Sequence, residues 1–140
     1  MDSTPIRVCH NKRIKPNSVF DGFAKTGKST MGWFHGFKLH LVCNDTGKLL
    51  SFCLTPGYMD DRDPKTLQTL TNKLFGKLFA DKGYISSSQF EVLFNHDVHL
   101  VTGIRSDIKN RLMNFYDRIM LRKRSIIETI NDELKKHFAM

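Results

Sequence analysis

Two carboxylates stand out for where the sequence places them. Asp81 follows the short apolar run Leu78-Phe79-Ala80 and precedes Lys82-Gly83. A buried strand ending there presents an acid at its end. Glu128 lies in the last helix-forming segment. With Arg124 at 0° and about 100° per residue, Glu128 falls at about 40°, Asn131 at about 340° and Lys135 at about 20°. Ile127, Ile130, Leu134 and Phe138 fall between about 240° and 320°. Glu128 therefore projects from the edge of the buried stripe. Carboxylate oxygens are the ligands that hard divalent cations select. Such ions neutralise developing charge in phosphodiester cleavage. On pattern alone, however, the stripe reads as a solvated helix face. Its Arg124–Glu128 pair, four residues apart, is worth roughly a few tenths of a kcal/mol.

Other chemistries find less support. Asp60, Asp61 and Asp63 are rival carboxylates, but turn formation and helix capping account for them. The six histidines (His10, His35, His40, His96, His99 and His137) have no helical metal-ligand spacing, and His40 reads as a packed strand residue. Lys25-Thr26-Gly27-Lys28-Ser29-Thr30 lacks the first glycine of a phosphate loop and precedes a strand rather than a helix. Cys9, Cys43 and Cys53 form no Cys-x-x-Cys pair. They make neither a disulfide framework nor a zinc ribbon, and read as small buried hydrophobes of a reducing compartment. Trp33 and the phenylalanines read as core rather than as base-stacking platforms.

The elements that must position these acids follow from periodicity. Trp33 to Val42 is a strand, Asn44-Asp45-Thr46-Gly47 a turn and Leu49 to Thr55 a second strand, together a hairpin. Asp63 as N-cap and Pro64 at the first helical position open a helix with Leu67, Leu70, Leu74 and Phe75 on its apolar face. Leu78 to Ala80 is a strand, Ser86 to Phe94 a helix and His99 to Thr102 a strand. Residues 5 to 31 are basic with weak periodicity and read as loop. Residues 105 to 123 are basic, with helix signal from 111 onward. Strands alternating with helices predict an α/β fold, and the hairpin makes its sheet mixed.

Composition sets the partners. The 140 residues are about one domain by length, and 40% hydrophobic with 26% charged residues suits a globular chain. The net charge of +8 favours a polyanionic partner without choosing between DNA, RNA and an acidic membrane surface. No apolar run approaches the roughly 20 residues that span a bilayer. Met1-Asp2-Ser3-Thr4-Pro5 has no signal-peptide core, which leaves a cytoplasmic protein as the expectation.

Three stretches change the weight of Asp81 and Glu128 when taken together. They are Asp2-Ser3-x-Pro5, Leu78-Phe79-Ala80-Asp81-Lys82-Gly83-Tyr84, and Arg124-x-x-x-Glu128-x-x-x-x-x-x-Lys135. In this order they resemble the catalytic region of bacterial insertion-sequence transposases of the DDE type. The last resembles that family's Tyr-x-x-Arg-x-x-x-Glu-x-x-x-x-x-x-Lys signature, with Leu121 in place of the tyrosine. Gly32 to His40 and Pro56 to Arg62 also resemble the family, so the likeness covers nearly the whole chain.

The resemblance implies a ribonuclease-H-like mixed sheet flanked by helices, and metal-dependent DNA cleavage and strand transfer. Asp2, Asp81 and Glu128 would be catalytic residues and ligands of two Mg²⁺ or Mn²⁺ ions. Lys82, Arg124 and Lys135 would bind DNA phosphates. The partners implied are element-end and target DNA and further copies of the chain, in a bacterial cytoplasm, with no small-molecule substrate. Because Asp2 follows only Met1, the resemblance also predicts an incomplete sheet without its first strand. Asp2 would sit on a loose terminus and catalysis would be impaired. The chain then divides into a basic loop region (1–31), a mixed sheet core with helices (32–104), and a basic segment with the Glu128 helix (105–140). A non-catalytic basic DNA-binding remnant and a stand-alone ribonuclease-H-like nuclease are the alternatives.

Overall fold

The computed structural model describes residues 1–84, 86–103 and 114–138. Its strands are β1 (Asp2–Cys9), β2 (Lys25–Ser29), β3 (Gly32–Cys43), β4 (Leu49–Pro56), β5 (Gly76–Ala80) and β6 (Val98–Thr102). Its α-helices are α1 (Pro64–Thr71), α2 (Ser87–Asn95), α3 (Phe115–Arg122) and α4 (Ser125–Phe138).

β3 is the hub because both its edges are paired. β1 runs antiparallel along one edge, from Asp2 opposite Leu41 to Cys9 opposite His35. β4 runs antiparallel along the other, from Phe37 opposite Pro56 to Cys43 opposite Leu49. β2 takes over that second edge where β4 stops, pairing Lys25 with Gly36 and Ser29 with Gly32. The Gly57 amide donates to the Gly36 carbonyl at 3.0 Å at the changeover. β5 and β6 form a separate two-stranded parallel sheet, with α2 as their crossover. The α/β class is as expected. The sheet, though, divides into a four-stranded antiparallel part and a two-stranded parallel part.

Residues 1–31 are not simply a basic loop. They contain β1 and β2, and Asp2 stands on a formed strand rather than a loose terminus. Periodicity missed both strands for a physical reason. β2, Lys-Thr-Gly-Lys-Ser, is a polar, charged edge strand, a composition that protects an unpaired edge from aggregation. β1 carries little apolar alternation and owes its conformation to the seven residue pairs it makes with β3.

The helix over 64–71 forms as its sequence dictates. Pro64 occupies the first turn and the Asp63 carboxylate accepts from the Thr66 amide at 2.8 Å. Leu67 and Leu70 are 1% exposed, each burial contributing roughly 2 kcal/mol. The helix ends at Thr71, so Leu74 and Phe75 lie beyond it, and Phe75 is 87% exposed. The core joins Met1, Val42, Leu67, Leu70, Leu78, Ala80, Tyr84, Leu93, Val98 and Leu100. Trp33 does not belong to it. It is 60% exposed opposite Lys28 of β2, whose Nζ lies 5.8 Å from the ring centroid. His40 is fully buried, as a packed strand residue should be. The helix signal from 111 falls partly outside the described residues; α3 begins at Phe115.

Candidate active site

The first acid is held from both sides. Met1 is buried, and its amino group donates to the Phe79 carbonyl of β5 at 2.8 Å. This bond ties the start of β1 to the parallel sheet. Asp2 follows, and its Oδ2 accepts from Asn131 Nδ2 of α4 at 3.2 Å. α4 is docked by Ile127, 2% exposed, and Asn131 itself is 4% exposed. Burial raises the Asp2 carboxyl above the usual carboxylate value. The Ser3 amide, the amino terminus and Arg124 oppose that rise, and Glu128 adds to it.

The second acid caps β5. Strand and core run through Leu78 and Ala80, and the chain turns into a short 3₁₀ segment, Lys82–Tyr84. Asp81 Oδ1 accepts from the Lys82 amide at 2.7 Å and from Arg124 Nη1 at 2.8 Å. Burial pushes the Asp81 carboxyl up, but these two donors together hold it below the usual value. The third acid, Glu128, is exposed, and its Oε1 lies 3.5 Å from Arg124 Nη2. Arg124 thus contacts two of the three acids and feels the field of the third.

Chemistry and spacing give different answers about a metal. The donors are carboxylates, which suit a hard divalent ion. Beside them Asn131 Oδ1 is buried and makes no hydrogen bond. Yet among the described residues no three His, Cys, Asp or Glu side chains are grouped to hold a metal ion. The positive charge between Asp81 and Glu128 is the guanidinium of Arg124. A divalent ion bridging these acids would have to displace it.

Of the basic residues, Lys82 and Arg124 adjoin the acids. Lys82 adjoins Asp81, its side chain passing Gly103. Arg124 lies at the centre, and Lys135 stands on the α4 stripe beyond Asn131, partly buried. The rival acids have structural tasks. Asp60 accepts two bonds from the Arg62 guanidinium, at 3.0 and 2.8 Å, and these hold its carboxyl at about 2. Asp61 pairs with Lys38 at 3.2 Å and Asp63 caps α1. Two residues near the acids had no assigned role from sequence. Asn131 was visible only as a member of the stripe. Tyr84 is 1% exposed and its ionisation is suppressed by burial, with Asp61, Asp2 and Asp81 adding to that and the Ser3 hydroxyl opposing it.

The described residues form an α/β domain in which Arg124 links Asp81, at the end of β5, to Glu128 of α4, and Asn131 of α4 holds Asp2 of β1. The model of the transposase DDE domain family matches residues 1–140, and the chain belongs to that family. No curated protein and no solved structure matches it. Among the described residues no helix is long and apolar enough to cross a membrane.

Proposed function

We propose that this domain cuts and joins DNA strands in the transposition of an insertion sequence, with Asp2, Asp81 and Glu128 as its catalytic carboxylates. One observation carries the reading. Arg124, in the turn before α4, contacts both Asp81 and Glu128, while Asn131, on the same helix as Glu128, holds Asp2. Residues 2, 81 and 128 are distant in sequence, and their links to Arg124 and Asn131 support the reading that they share chemistry.

Two Mg²⁺ or Mn²⁺ ions bound by these carboxylates would neutralise charge on the in-line transition state. The residues of the chain supply the rest. Lys82, Arg124 and Lys135 hold phosphate oxygens and fix the strand relative to the acids. Arg124 is suited to exchange its carboxylate partners for a phosphate, because its planar fork matches either. Further copies of the chain would bring the two element ends together.

The test is nicking of supercoiled plasmid at low salt with Mn²⁺. The proposal expects nicking that needs the ion and falls at least about 100-fold in Glu128→Gln, a loss of some 2.7 kcal/mol of transition-state stabilisation. Nicking unchanged in that variant would refute the site. The guanidinium between the acids favours a second reading, DNA binding without catalysis. It predicts salt-sensitive binding that is indifferent to the ion.

A further inference from the structure

Trp33 stands at the end of β3 remote from the acids, and it is 60% exposed. A large, mostly apolar ring left in water at the end of a hairpin adds little to the core. Its neighbour Phe34 is fully buried on the opposite face and pins this end of the hairpin, so the ring stands on a fixed base. Lys28 of β2 lies directly opposite, its Nζ 5.8 Å from the ring centroid. Asn11 Nδ2 donates to the Trp33 carbonyl at 3.0 Å, which brings the short 3₁₀ segment Asn11–Arg13, with Lys12 and Arg13, to the same place. Residues 3–44 hold seven Lys or Arg and a single acid, Asp21. The exposed ring therefore lies in positive surroundings, which attract a polyanion and oppose a second copy of this basic chain. Alternate residues of β3 share a face, so Trp33 and Leu41 lie on one face, together with Asp2 opposite Leu41. Eight residues of strand span about 27 Å. The ring is on the sheet face that carries the first acid, but far along it.

We propose that Trp33 is a stacking platform for an unpaired base of DNA, with Lys28, Lys12 and Arg13 holding the neighbouring phosphates. The occupant is single-stranded because a base inside a duplex has both faces covered by its neighbours, and only an unpaired base can lay a face on the indole. The cations answer the phosphates on either side of that base, which an apolar protein surface would leave without counter-charge. Every base has such a face, so the platform is indifferent to sequence. The inference goes beyond the proposed function and does not depend on the acids.

Trp33 is the single tryptophan of the chain, so its own fluorescence reads the site. The full chain is titrated at about 50 mM salt, without divalent ions, with oligo-dT of about 12 nucleotides and with a duplex of the same length. Oligo-dT should quench Trp33, and the duplex should quench it much less. By anisotropy of labelled oligo-dT, Trp33→Leu should bind about tenfold more weakly, the scale of one stacked base. Trp33→Phe keeps a ring and should recover most of that affinity. Lys28→Gln should flatten the dependence of log affinity on log salt by about 0.7. The substituted side chains are exposed, and matching circular dichroism spectra verify that the variants fold. No quenching by oligo-dT, or unchanged affinity in Trp33→Leu, would overturn the platform. So would an equal loss for oligo-dT and duplex in that variant, the result of a general disturbance of the basic surface. Because no metal is present, the outcome is separate from that of the nicking assay.

Discussion

Arg124 reaches back across 43 residues of sequence to donate to Asp81 at 2.8 Å. The bond joins the end of β5 to the turn before α4, and the same guanidinium then leans toward Glu128. Arg124 is the cation that lets these acids sit together: a cluster of carboxylates repels itself, and one fork of donors offsets the repulsion.

The first prediction follows from that arrangement. Both side chains of the pair are partly exposed, at 31% and 51%, so it is worth at most about 1 kcal/mol. Arg124→Gln should therefore lower the thermal midpoint by only a few degrees without metal. It should also enlarge the rise in midpoint that Mn²⁺ produces, because the ion no longer competes with a guanidinium. Thermal unfolding with and without about 1 mM Mn²⁺, an excess chosen to saturate the site, checks this. An equal or smaller Mn²⁺ effect in the variant would show that Arg124 does not guard the acids.

Much of this arrangement was legible in the sequence, and the gaps have physical causes. Asp63 and Pro64 announced α1 because capping is local chemistry. β3, β4, β5 and β6 were visible because apolar runs mark strands, although β4 leaves Leu49, Leu50, Phe52 and Leu54 exposed. β1 and β2 were not, since an edge or polar strand is specified by its partner rather than by its own pattern. The helical arithmetic placed Asn131 beside Glu128, but a helix-face calculation cannot say that Asp2 waits opposite. The exposure of Trp33 was missed because an aromatic on the outer end of a hairpin looks like any other core aromatic in sequence. The convergence of Asp81 and Glu128 came from resemblance. Sequence pattern alone favoured a solvated face for Glu128.

A second prediction concerns DNA. Lys135 lies on α4, whereas Arg124 sits in the turn before it; a side chain that holds a phosphate adds about one unit to the salt slope of binding. Lys135→Gln should lower affinity for any duplex sequence alike and reduce the slope of log affinity against log salt by about 1. Fluorescence anisotropy with a labelled duplex over roughly 50–200 mM salt measures both quantities. A loss confined to one DNA sequence would argue for base contact instead.

A third prediction tests the hub of the sheet. At the changeover from β4 to β2, a Cβ on Gly27 would overlap the carbonyl of Gly57, and a Cβ on Gly57 would lie 2.5 Å from the Lys25 carbonyl oxygen. Both obstacles are backbone and cannot swing away. Gly27→Ala should destabilise the chain by about 3 kcal/mol, at the upper end of overpacking effects. Gly83→Ala, where nothing lies within 4 Å, should be nearly silent. Urea unfolding midpoints of the two variants separate close approach from a general dislike of lost glycine.

The last prediction is a pH dependence of stability that originates at His40. The ring is completely buried, its Nε2 3.0 Å from Thr55 Oγ1 and its Nδ1 without a hydrogen bond. Burial lowers its pKa below 6.5; Asp61 and Asp63 act to raise it and Lys38 to lower it. The neutral ring is therefore the folded form. Below pH 6.5 the unfolded chain takes up a proton that the folded chain does not, so stability rises with pH in this range. The contribution is complete above 6.5 and is lost as pH falls through 6.5 toward the folded value, by at most about 1.4 kcal/mol per pH unit. His40→Leu fills similar space without a titrating group. It should show a shallower fall in urea midpoint between pH 7.5 and 5 than the native chain, whatever its absolute stability. Parallel curves for the two proteins would place the acid sensitivity elsewhere.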